Sequence, residues 1–139
     1  MSDGKGDTRD QPPHRFAVRV YYEDTDMAGI VYYANYLKYI ERARSDWVRA
    51  LGIDQNTLRQ QGVVFAVARI EADYLSPARF DDTLEVHTSV QRIGGARVVL
   101  EQRVTRHGQV LFASVVTLVA LDAQGRATRL PAEFRRTAR

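Results

Sequence analysis

The stretch that decides the fold is Tyr22-Glu23-Asp24-Thr25-Asp26-Met27-Ala28-Gly29-Ile30-Val31-Tyr32-Tyr33, an acidic loop that leads directly into a helix. From Tyr33 onward, apolar residues recur at spacings of three and four, which predicts one amphipathic helix over residues 35–51. Asn35 is the predicted N-cap, and Gly52 is placed to end the helix. A carboxylate loop that meets a helix N-terminus brings a base or nucleophile close to unpaired backbone N–H groups.

The predicted helix has one wide apolar stripe, which a large surface must cover. Lys38, Arg42, Asp46 and Arg49 occupy the opposite face. The residues of the stripe are Tyr33, Tyr36, Leu37, Ile40, Ala43, Trp47, Ala50 and Leu51.

The rest of the chain is predicted to be mostly strand. Residues 14–22 alternate with period two, and a short helical turn is predicted at 54–61. Four further strands are predicted at 63–75, 82–93, 96–106 and 110–121, separated by turn residues. The last run is apolar on both faces, so we expect it to lie centrally and to be buried on both sides.

The order of strand, loop, long helix and four strands predicts an α+β domain in which one central helix is wrapped by a curved antiparallel sheet of about five strands. One helix cannot cover both faces of such a sheet. A second copy of the chain is therefore expected to cover the remaining face or an edge, as a homodimer or a dimer of dimers.

Composition places limits on the class of protein. The 139 residues are enough for one domain, and 45% hydrophobic with 27% charged residues is ordinary for a globular protein. The chain has no cysteine, which is typical of a reducing compartment. Residues 1–13 are predicted to be a disordered leader without a secretory signal, 14–131 the folded domain, and 132–139 a basic tail that frays from Pro131. The run at 110–121 is too short to span a bilayer, and we expect a cytoplasmic protein.

The charge pattern argues against two classes of partner. The formal net charge is +3, several arginines fall in the last residues, and no aromatic-basic nucleic-acid motif is present, so a solvated basic surface is favoured over nucleic-acid binding. His14, His87 and His107 lie far apart in the sequence, so a metal site would rest on carboxylates alone and none is predicted.

Asp24 and Asp26 are the residues most suited to chemistry. A carboxylate can remove a proton from water or attack an acyl carbon directly, although either acid could instead cap a turn. Backbone N–H groups near Tyr33 could stabilise a developing oxyanion, because the first amides of a helix have no partner within it. From the residues alone, the roles of the two acids stay interchangeable.

Four motifs resemble a known family. Val20-Tyr21-Tyr22-Glu23-Asp24-Thr25-Asp26, Gly29-Ile30-Val31-Tyr32-Tyr33, Asn35-Tyr36 and Glu41-Arg42-Ala43-Arg44 resemble the signature of the hotdog-fold acyl-CoA thioesterases. The similarity is to the 4-hydroxybenzoyl-CoA thioesterase group and, within it, the Tol–Pal-associated branch. Residues 70–82 and Glu101-Gln102 resemble the same family, so the resemblance covers about 14–131.

The resemblance assigns roles within the loop. It implies that Asp26 is the catalytic carboxylate, that the Tyr33 backbone N–H polarises the thioester oxygen, and that Tyr22 is an active-site tyrosine. Gly29 and Val31 are then expected to contact the substrate. It also implies active sites built at a shared subunit interface, without a cofactor, since coenzyme A is part of the substrate.

Two further expectations concern the substrate. Where many enzymes of the Tol–Pal branch have a histidine, this chain has Tyr33, which leaves the choice between aliphatic and aromatic acyl groups open. Arg92 and Arg97 flank the Gly94-Gly95 turn, where backbone can approach a phosphate, and we assign them to the phosphates of coenzyme A.

The resulting prediction is an acyl-CoA thioesterase that releases a free acid and coenzyme A. One alternative is a hotdog hydratase or dehydratase acting on acyl carrier protein, which would need an acid/base partner such as a histidine in the loop. The other is a non-enzymatic protein that binds acyl-CoA or acyl carrier protein, or serves as a scaffold for an envelope complex. In that case Asp26 would only be a cap.

Overall fold

The computed structural model describes residues 12–138, so the predicted leader lies outside the described residues except for Pro12 and Pro13. Two helices and five strands are present, in the predicted order. In chain order they are β1 His14–Arg19, α1 Asn35–Ala50, α2 Gln55–Gln60, β2 Val64–Tyr74, β3 Thr83–Ile93, β4 Arg97–Arg106 and β5 Gln109–Leu121. Short 3-10 helices lie at Tyr22–Asp24 and Ala132–Ala138. Within residues 12–138, neither α-helix has the length and apolar character needed to cross a membrane.

The five strands form one antiparallel sheet in the order β1-β3-β4-β5-β2, which confirms the predicted α+β architecture. Strand β5 is an interior strand, as expected, although β4 is the middle one. Residues of β5 on the α1 side, such as Phe112 and Val116, are buried, whereas Val115 and Thr117 on the outer face are half-buried. The expected burial of β5 on both faces is therefore not reached by a single chain.

Helix α1 buries a stripe that differs from the predicted one. Tyr39 is 1% exposed and belongs to the core, because it stands three residues after Tyr36 and four before Ala43 on the same face. Leu37 and Ala50, by contrast, are exposed at the flank and the end of the helix. The buried residues of α1 are Tyr36, Tyr39, Ile40, Ala43, Trp47 and Val48.

The ends of the helices follow local chemistry with one exception. Gly52 has a φ of 89°, and its N–H donates to the Arg49 carbonyl, which ends α1 as predicted. Asn35 is not the N-cap of α1; that position is Ala34, which provides no side-chain cap. The Asn35 side-chain amide instead donates to the Asp24 carbonyl at 2.8 Å, because the acidic loop lies against the start of the helix.

The chain does not fray from Pro131. Residues of the 3-10 helix Ala132–Ala138 fold back onto the domain, and the Phe134 side chain is fully buried. Its ring lies 5.5 Å from the Trp47 ring and 5.4 Å from the Phe65 ring, measured between centroids. Burial of this one aromatic side chain stabilises the folded position of the C-terminal segment.

Candidate active site

The acidic loop forms a short antiparallel ribbon that ends at α1. The Tyr32 N–H donates to the Asp24 carbonyl at 2.9 Å, and the Asp26 N–H donates to the Ile30 carbonyl at 2.9 Å. At the tip, Gly29 has a φ of 79°, and its N–H donates to the Asp26 carbonyl at 3.0 Å. A positive φ of this kind is the conformation that glycine adopts without a steric penalty.

The two acids of the loop have different surroundings. Asp24 is half-buried, and its Oδ2 atom accepts hydrogen bonds from the Tyr39 hydroxyl at 3.0 Å and from the Tyr21 N–H at 2.9 Å. Asp26 is exposed, and its Oδ1 atom accepts only from the Ala28 N–H, at 2.9 Å. Within residues 12–138, no hydrogen-bond donor contacts Asp26 Oδ2. The geometry ties Asp24 into the fold and leaves Asp26 available to react.

The backbone amide of Tyr33 is also available. Within the described part of the chain it donates to no acceptor, whereas the amide before it, that of Tyr32, is bonded to Asp24. The Tyr33 carbonyl accepts the Tyr74 hydroxyl at 3.0 Å, which fixes the position of this residue. Because α1 begins at Asn35, the free N–H lies at the positive end of the helix dipole and is suited to bind a developing oxyanion.

A second segment, residues 75–82, forms a wall against the loop, which the sequence did not predict. Ile30 forms an isolated β-bridge with Arg79, and the Val31 N–H donates to the Ala78 carbonyl at 2.9 Å. The Ala78 N–H in turn donates to the Tyr36 hydroxyl at 3.1 Å. This pairing joins segments far apart in the sequence, so no local sequence pattern predicts it.

An ion pair holds this wall in place. Arg106 Nη1 lies 2.8 Å from Asp82 Oδ2 and 3.3 Å from the Pro77 carbonyl oxygen, and the Arg79 N–H donates to the same carboxylate at 2.8 Å. Burial pushes the pKa of Asp82 upward, but the Arg79 amide and the Arg106 guanidinium together hold that pKa below its ordinary value. The carboxylate therefore stays ionised and bonded at neutral pH.

Between the loop and the wall lies an apolar pocket of about 330 Å³. Tyr36 is stacked on Phe112 with ring centroids 5.0 Å apart, and Tyr33 meets Tyr74 edge to face at 6.2 Å. Burial raises the pKa values of Tyr36 and Tyr74, so both phenols are neutral at physiological pH. The residues that line the pocket are Ile30, Val31, Tyr33, Tyr36, Tyr74, Leu75, Ser76 and Pro77.

The loop brings five of the predicted site residues together: Tyr22, Asp26, Gly29, Val31 and Tyr33. The Asp26 N–H is bonded to the Ile30 carbonyl, and Ile30 stands three residues before Tyr33. Val31 and Tyr33 line the pocket. Tyr22 is 78% exposed and packs edge to face on Phe80 at 6.0 Å, outside the lining of the pocket.

The other two predicted residues, Arg92 and Arg97, are exposed at the far end of the sheet. Strand β4 pairs at Val104 with Phe112, which stacks on the pocket residue Tyr36, and at Arg97 with Val119. Those seven residues of strand correspond to about 23 Å, so within one chain the arginines lie far from the loop.

A larger pocket of about 470 Å³ lies at the C-terminal end of α1, between Arg49 and Asn56. Its carboxylate, Asp54, is occupied because it caps α2 through the Asn56 N–H at 2.9 Å. Within residues 12–138, no group of three or more His, Asp or Glu residues is placed to hold a metal ion. The acidic loop is therefore the candidate site.

One long helix wrapped by a five-stranded antiparallel sheet is the arrangement of the hotdog fold. A model of the thioesterase-like superfamily matches residues 20–137, and the chain belongs to that superfamily.

Named relatives agree with this assignment. The chain is 43% identical to the acyl-CoA thioesterase YbgC of Haemophilus influenzae over 108 residues, which cover 77% of this chain and 79% of that protein. It is 39% identical to the acyl-CoA thioester hydrolase YbgC of Escherichia coli O157:H7, over 76% of this chain and 78% of that one. Among solved structures, a probable thioesterase from Bartonella henselae is 35% identical, with a TM-score of 0.81 over 86% of this chain and 99% of that one. The predicted hotdog fold and thioester hydrolase class are confirmed.

Proposed function

We propose that this protein hydrolyses acyl-CoA thioesters to a free acid and coenzyme A. The observation that carries the proposal is the pairing, in one rigid loop, of an exposed carboxylate at Asp26 with the unbonded N–H of Tyr33. The curated relatives named as acyl-CoA thioesterases, at 39–43% identity over most of the chain, support the choice of substrate.

In the proposed reaction, the Tyr33 N–H donates a hydrogen bond to the thioester carbonyl oxygen. Asp26 either attacks the carbonyl carbon to form an acyl-aspartyl anhydride, which water then hydrolyses to the free acid, or removes a proton from a water that attacks the same carbon. In both cases the C–S bond breaks, and coenzyme A leaves as a thiolate that takes up a proton released from the water. Negative charge develops on the carbonyl oxygen in either case. Loss of one such donor typically costs about 2.7–4 kcal/mol of transition-state stabilisation.

The apolar pocket is the proposed site for the acyl group. Its lining is mostly apolar and the phenols of Tyr36 and Tyr74 are neutral, so it favours an uncharged acyl chain or ring over a charged one. The position at which many relatives of the Tol–Pal branch have a histidine is Tyr33, so the proposed chemistry relies on Asp26 and the amide alone. Tyr22 is proposed to contact the substrate outside the pocket.

The same proposal includes a homodimer formed along β2. Within residues 12–138 this edge strand has no partner on its outer side, and Val64, Val67 and Tyr74 on it are 41–49% exposed. Antiparallel pairing of two β2 strands would reverse one sheet relative to the other. Arg92 and Arg97 of the partner subunit would then approach this chain's loop, where they would contact the phosphates of coenzyme A.

Several finer expectations stay predictions. They are the dimer-of-dimers tetramer, the cytoplasmic location, the association with a Tol–Pal system and the absence of a metal or cofactor requirement. Acyl carrier protein stays an alternative carrier of the acyl group, and a thiol-release assay with its thioesters tests this alternative.

The proposal is tested by measuring thiol release from a panel of aliphatic and aromatic acyl-CoAs, with acyl carrier protein thioesters alongside. We expect Asp26→Asn and Asp26→Ala to lower kcat by about 100-fold or more, because either the nucleophile or the base is removed. Glu23→Gln is the matched control, since Glu23 is an exposed acid in the same loop and should leave kcat unchanged.

Two results would overturn the proposal. One is the absence of turnover on every substrate. The other is an Asp26→Asn variant as fast as the unmodified protein. Tight acyl-CoA binding without turnover, equal in the protein and in Asp26→Asn, would favour the non-enzymatic alternative.

A further inference from the structure

Tyr39 is a core residue whose hydroxyl reaches the acidic loop. It lies on α1, its side chain is 1% exposed, and its hydroxyl donates to Asp24 Oδ2 at 3.0 Å. Burial, reinforced by the neighbouring Asp24 carboxylate, raises the pKa of Tyr39, so the phenol keeps its proton and acts as a permanent donor. A buried donor of this kind has a fixed direction, because the packed ring cannot rotate away.

Asp24 accepts three further hydrogen bonds, from the loop and from the start of α1. Besides the Tyr39 hydroxyl, its Oδ2 atom accepts the Tyr21 N–H at 2.9 Å. Its carbonyl oxygen accepts the Tyr32 N–H at 2.9 Å and the Asn35 side-chain amide at 2.8 Å. One residue thus ties both ends of the ribbon to the first two turns of α1.

The position of the Tyr33 amide depends on these bonds. The Tyr32 N–H is held by Asp24, whereas the next N–H along the chain, that of Tyr33, has no acceptor in the described structure. A small shift of Asp24 relative to the helix would move this amide relative to the substrate carbonyl. Reacting groups tolerate little displacement, and about 1 Å can cost 100-fold in rate.

We propose that Tyr39 and Asp24 are positioning residues that aim the Tyr33 amide at the substrate carbonyl through the Tyr39 hydroxyl–Asp24 hydrogen bond. The inference rests on the proposed thioesterase function, in which the Tyr33 amide is the oxyanion donor. In this role Asp24 accepts hydrogen bonds and transfers no proton.

The variants separate hydrogen bonding from charge. In Tyr39→Phe one bond is lost, and we expect kcat to fall roughly tenfold with KM changed less than about twofold. In Asp24→Ala both side-chain hydrogen bonds are lost, and kcat should fall roughly 100-fold. Asp24→Asn keeps an acceptor oxygen, so its kcat should stay within about threefold of that of the unmodified protein.

Ser114→Ala is the matched control. The Ser114 hydroxyl is also buried and donates to the Gln102 carbonyl at 2.8 Å within the sheet, so its removal costs one comparable hydrogen bond away from the loop. We expect this variant to lose stability to a degree similar to Tyr39→Phe while kcat stays unchanged. If Tyr39→Phe changes only stability, or if Asp24→Asn is as slow as Asp24→Ala, the inference is wrong.

A second measurement does not depend on activity. Amide hydrogen exchange at Tyr32 reports whether its N–H is still bonded to Asp24, and we expect faster exchange in Tyr39→Phe than in Ser114→Ala. An inactive protein with this exchange pattern would refute the proposed function and leave the loop contact standing. Equal exchange at Tyr32 in both variants would overturn the positioning role whatever the activity.

Discussion

Asp24 and Asp26 have identical side chains two residues apart, and their hydrogen bonds give them opposite properties. The Asp24 carboxylate is held by a buried phenol and a backbone amide, whereas Asp26 has one local contact and faces solvent. A carboxylate that must attack or take a proton needs a free oxygen, and one that holds a loop needs its oxygens occupied. The hydrogen bonds of the two acids therefore support the different roles proposed for them.

Gly29 closes the tip of the ribbon, and its replacement tests how much the loop depends on backbone conformation. A Cβ atom built at Gly29 meets no atom within 4 Å, so the cost of Gly29→Ala arises from the φ of 79° alone. We expect a loss of about 1 kcal/mol in the free energy of unfolding, measured by urea denaturation.

Gly95→Ala is the control for that measurement. Gly95 also meets no atom within 4 Å and has no positive φ, so its free energy of unfolding should change by less than about 0.5 kcal/mol. Equal losses in the two variants would show that the Gly29 conformation is not the cause.

At the residue scale, local signals were predictable and long-range contacts were not. The end of α1 at Gly52 is a property of a short segment, so the spacing of residues was enough to indicate it. Spacing left Asp24 and Asp26 interchangeable, and only the family motif pointed to Asp26. The Asn35 side chain was expected to cap its own helix, but its amide donates to the Asp24 carbonyl instead. Tyr39 looked like any core tyrosine, because its bond to Asp24 joins residues that only the folded loop brings together.

At the scale of elements, the wall formed by residues 75–82 depends on one ion pair. The pKa of Asp82 is lower in the folded chain than in the unfolded chain, so the contribution of its pairing with Arg106 is complete above the unfolded-state pKa. That contribution is lost as the pH falls through the folded-state pKa. Because the pKa of Asp82 is lowered, the wall should stay paired until the pH falls below the ordinary range of an aspartate.

The prediction concerns Asp82→Asn at two pH values. At pH 7 we expect a loss of roughly 0.5–1 kcal/mol in the free energy of unfolding, because both side chains of the pair are partly exposed and solvent screens them. At an acid pH below the folded-state pKa of Asp82 the difference should vanish, since the native carboxylate is then protonated as well.

Asp81→Asn provides the neighbouring control. It removes the pair between Asp81 and Arg19, whose side chains are 58% and 65% exposed, so the loss at pH 7 should be smaller. A pH-independent loss in Asp82→Asn would mean that packing, rather than charge, holds the wall.

Strands and the long helix were predictable because their periods of two and 3.6 repeat over many residues. The C-terminal 3-10 helix was not, because a single aromatic residue, Phe134, among arginines provides no period. Its burial against Trp47 depends on where the far end of α1 lies, which only the packed structure decides.

At the scale of the whole molecule, the two edges of the sheet differ in their exposed large apolar residues. Strand β2 exposes Val64, Val67 and Tyr74 beside the charged Arg69, Glu71 and Asp73. Strand β1, at the other edge, exposes Arg15, Ala17 and Arg19 but no large apolar residue. Apolar side chains on an edge strand permit further pairing, so this contrast supports the proposal of a dimer contact on β2.

We expect light scattering to measure twice the chain mass for the protein and the mass of one chain for Val67→Lys, because the lysine would be buried without a partner in the dimer. Thioesterase activity should fall with dissociation if arginines of a second copy bind coenzyme A. The matched control is Ala17→Lys on β1, which should stay dimeric. A monomeric unmodified protein at micromolar concentration, or dissociation by Ala17→Lys alone, would contradict the proposed contact.

Arg92 and Arg97 show what a single sequence cannot provide at this scale. The Gly94-Gly95 turn indicated where backbone could meet a phosphate, but it contained no information about the distance of about 23 Å along β4 that separates the arginines from the pocket within one chain. Their proposed assignment requires a neighbouring copy, and no motif in the sequence specifies where that copy would lie.

The packing of Phe134 against Trp47 has a spectroscopic consequence. Trp47 is the single tryptophan of the sequence, it is 5% exposed, and it lies twelve residues along α1 from Asn35, or about 18 Å from the start of the helix. Excitation at long wavelength therefore selects one chromophore in an apolar environment. A red shift of its emission would report undocking of the C-terminal segment, separately from anything that happens at the acidic loop.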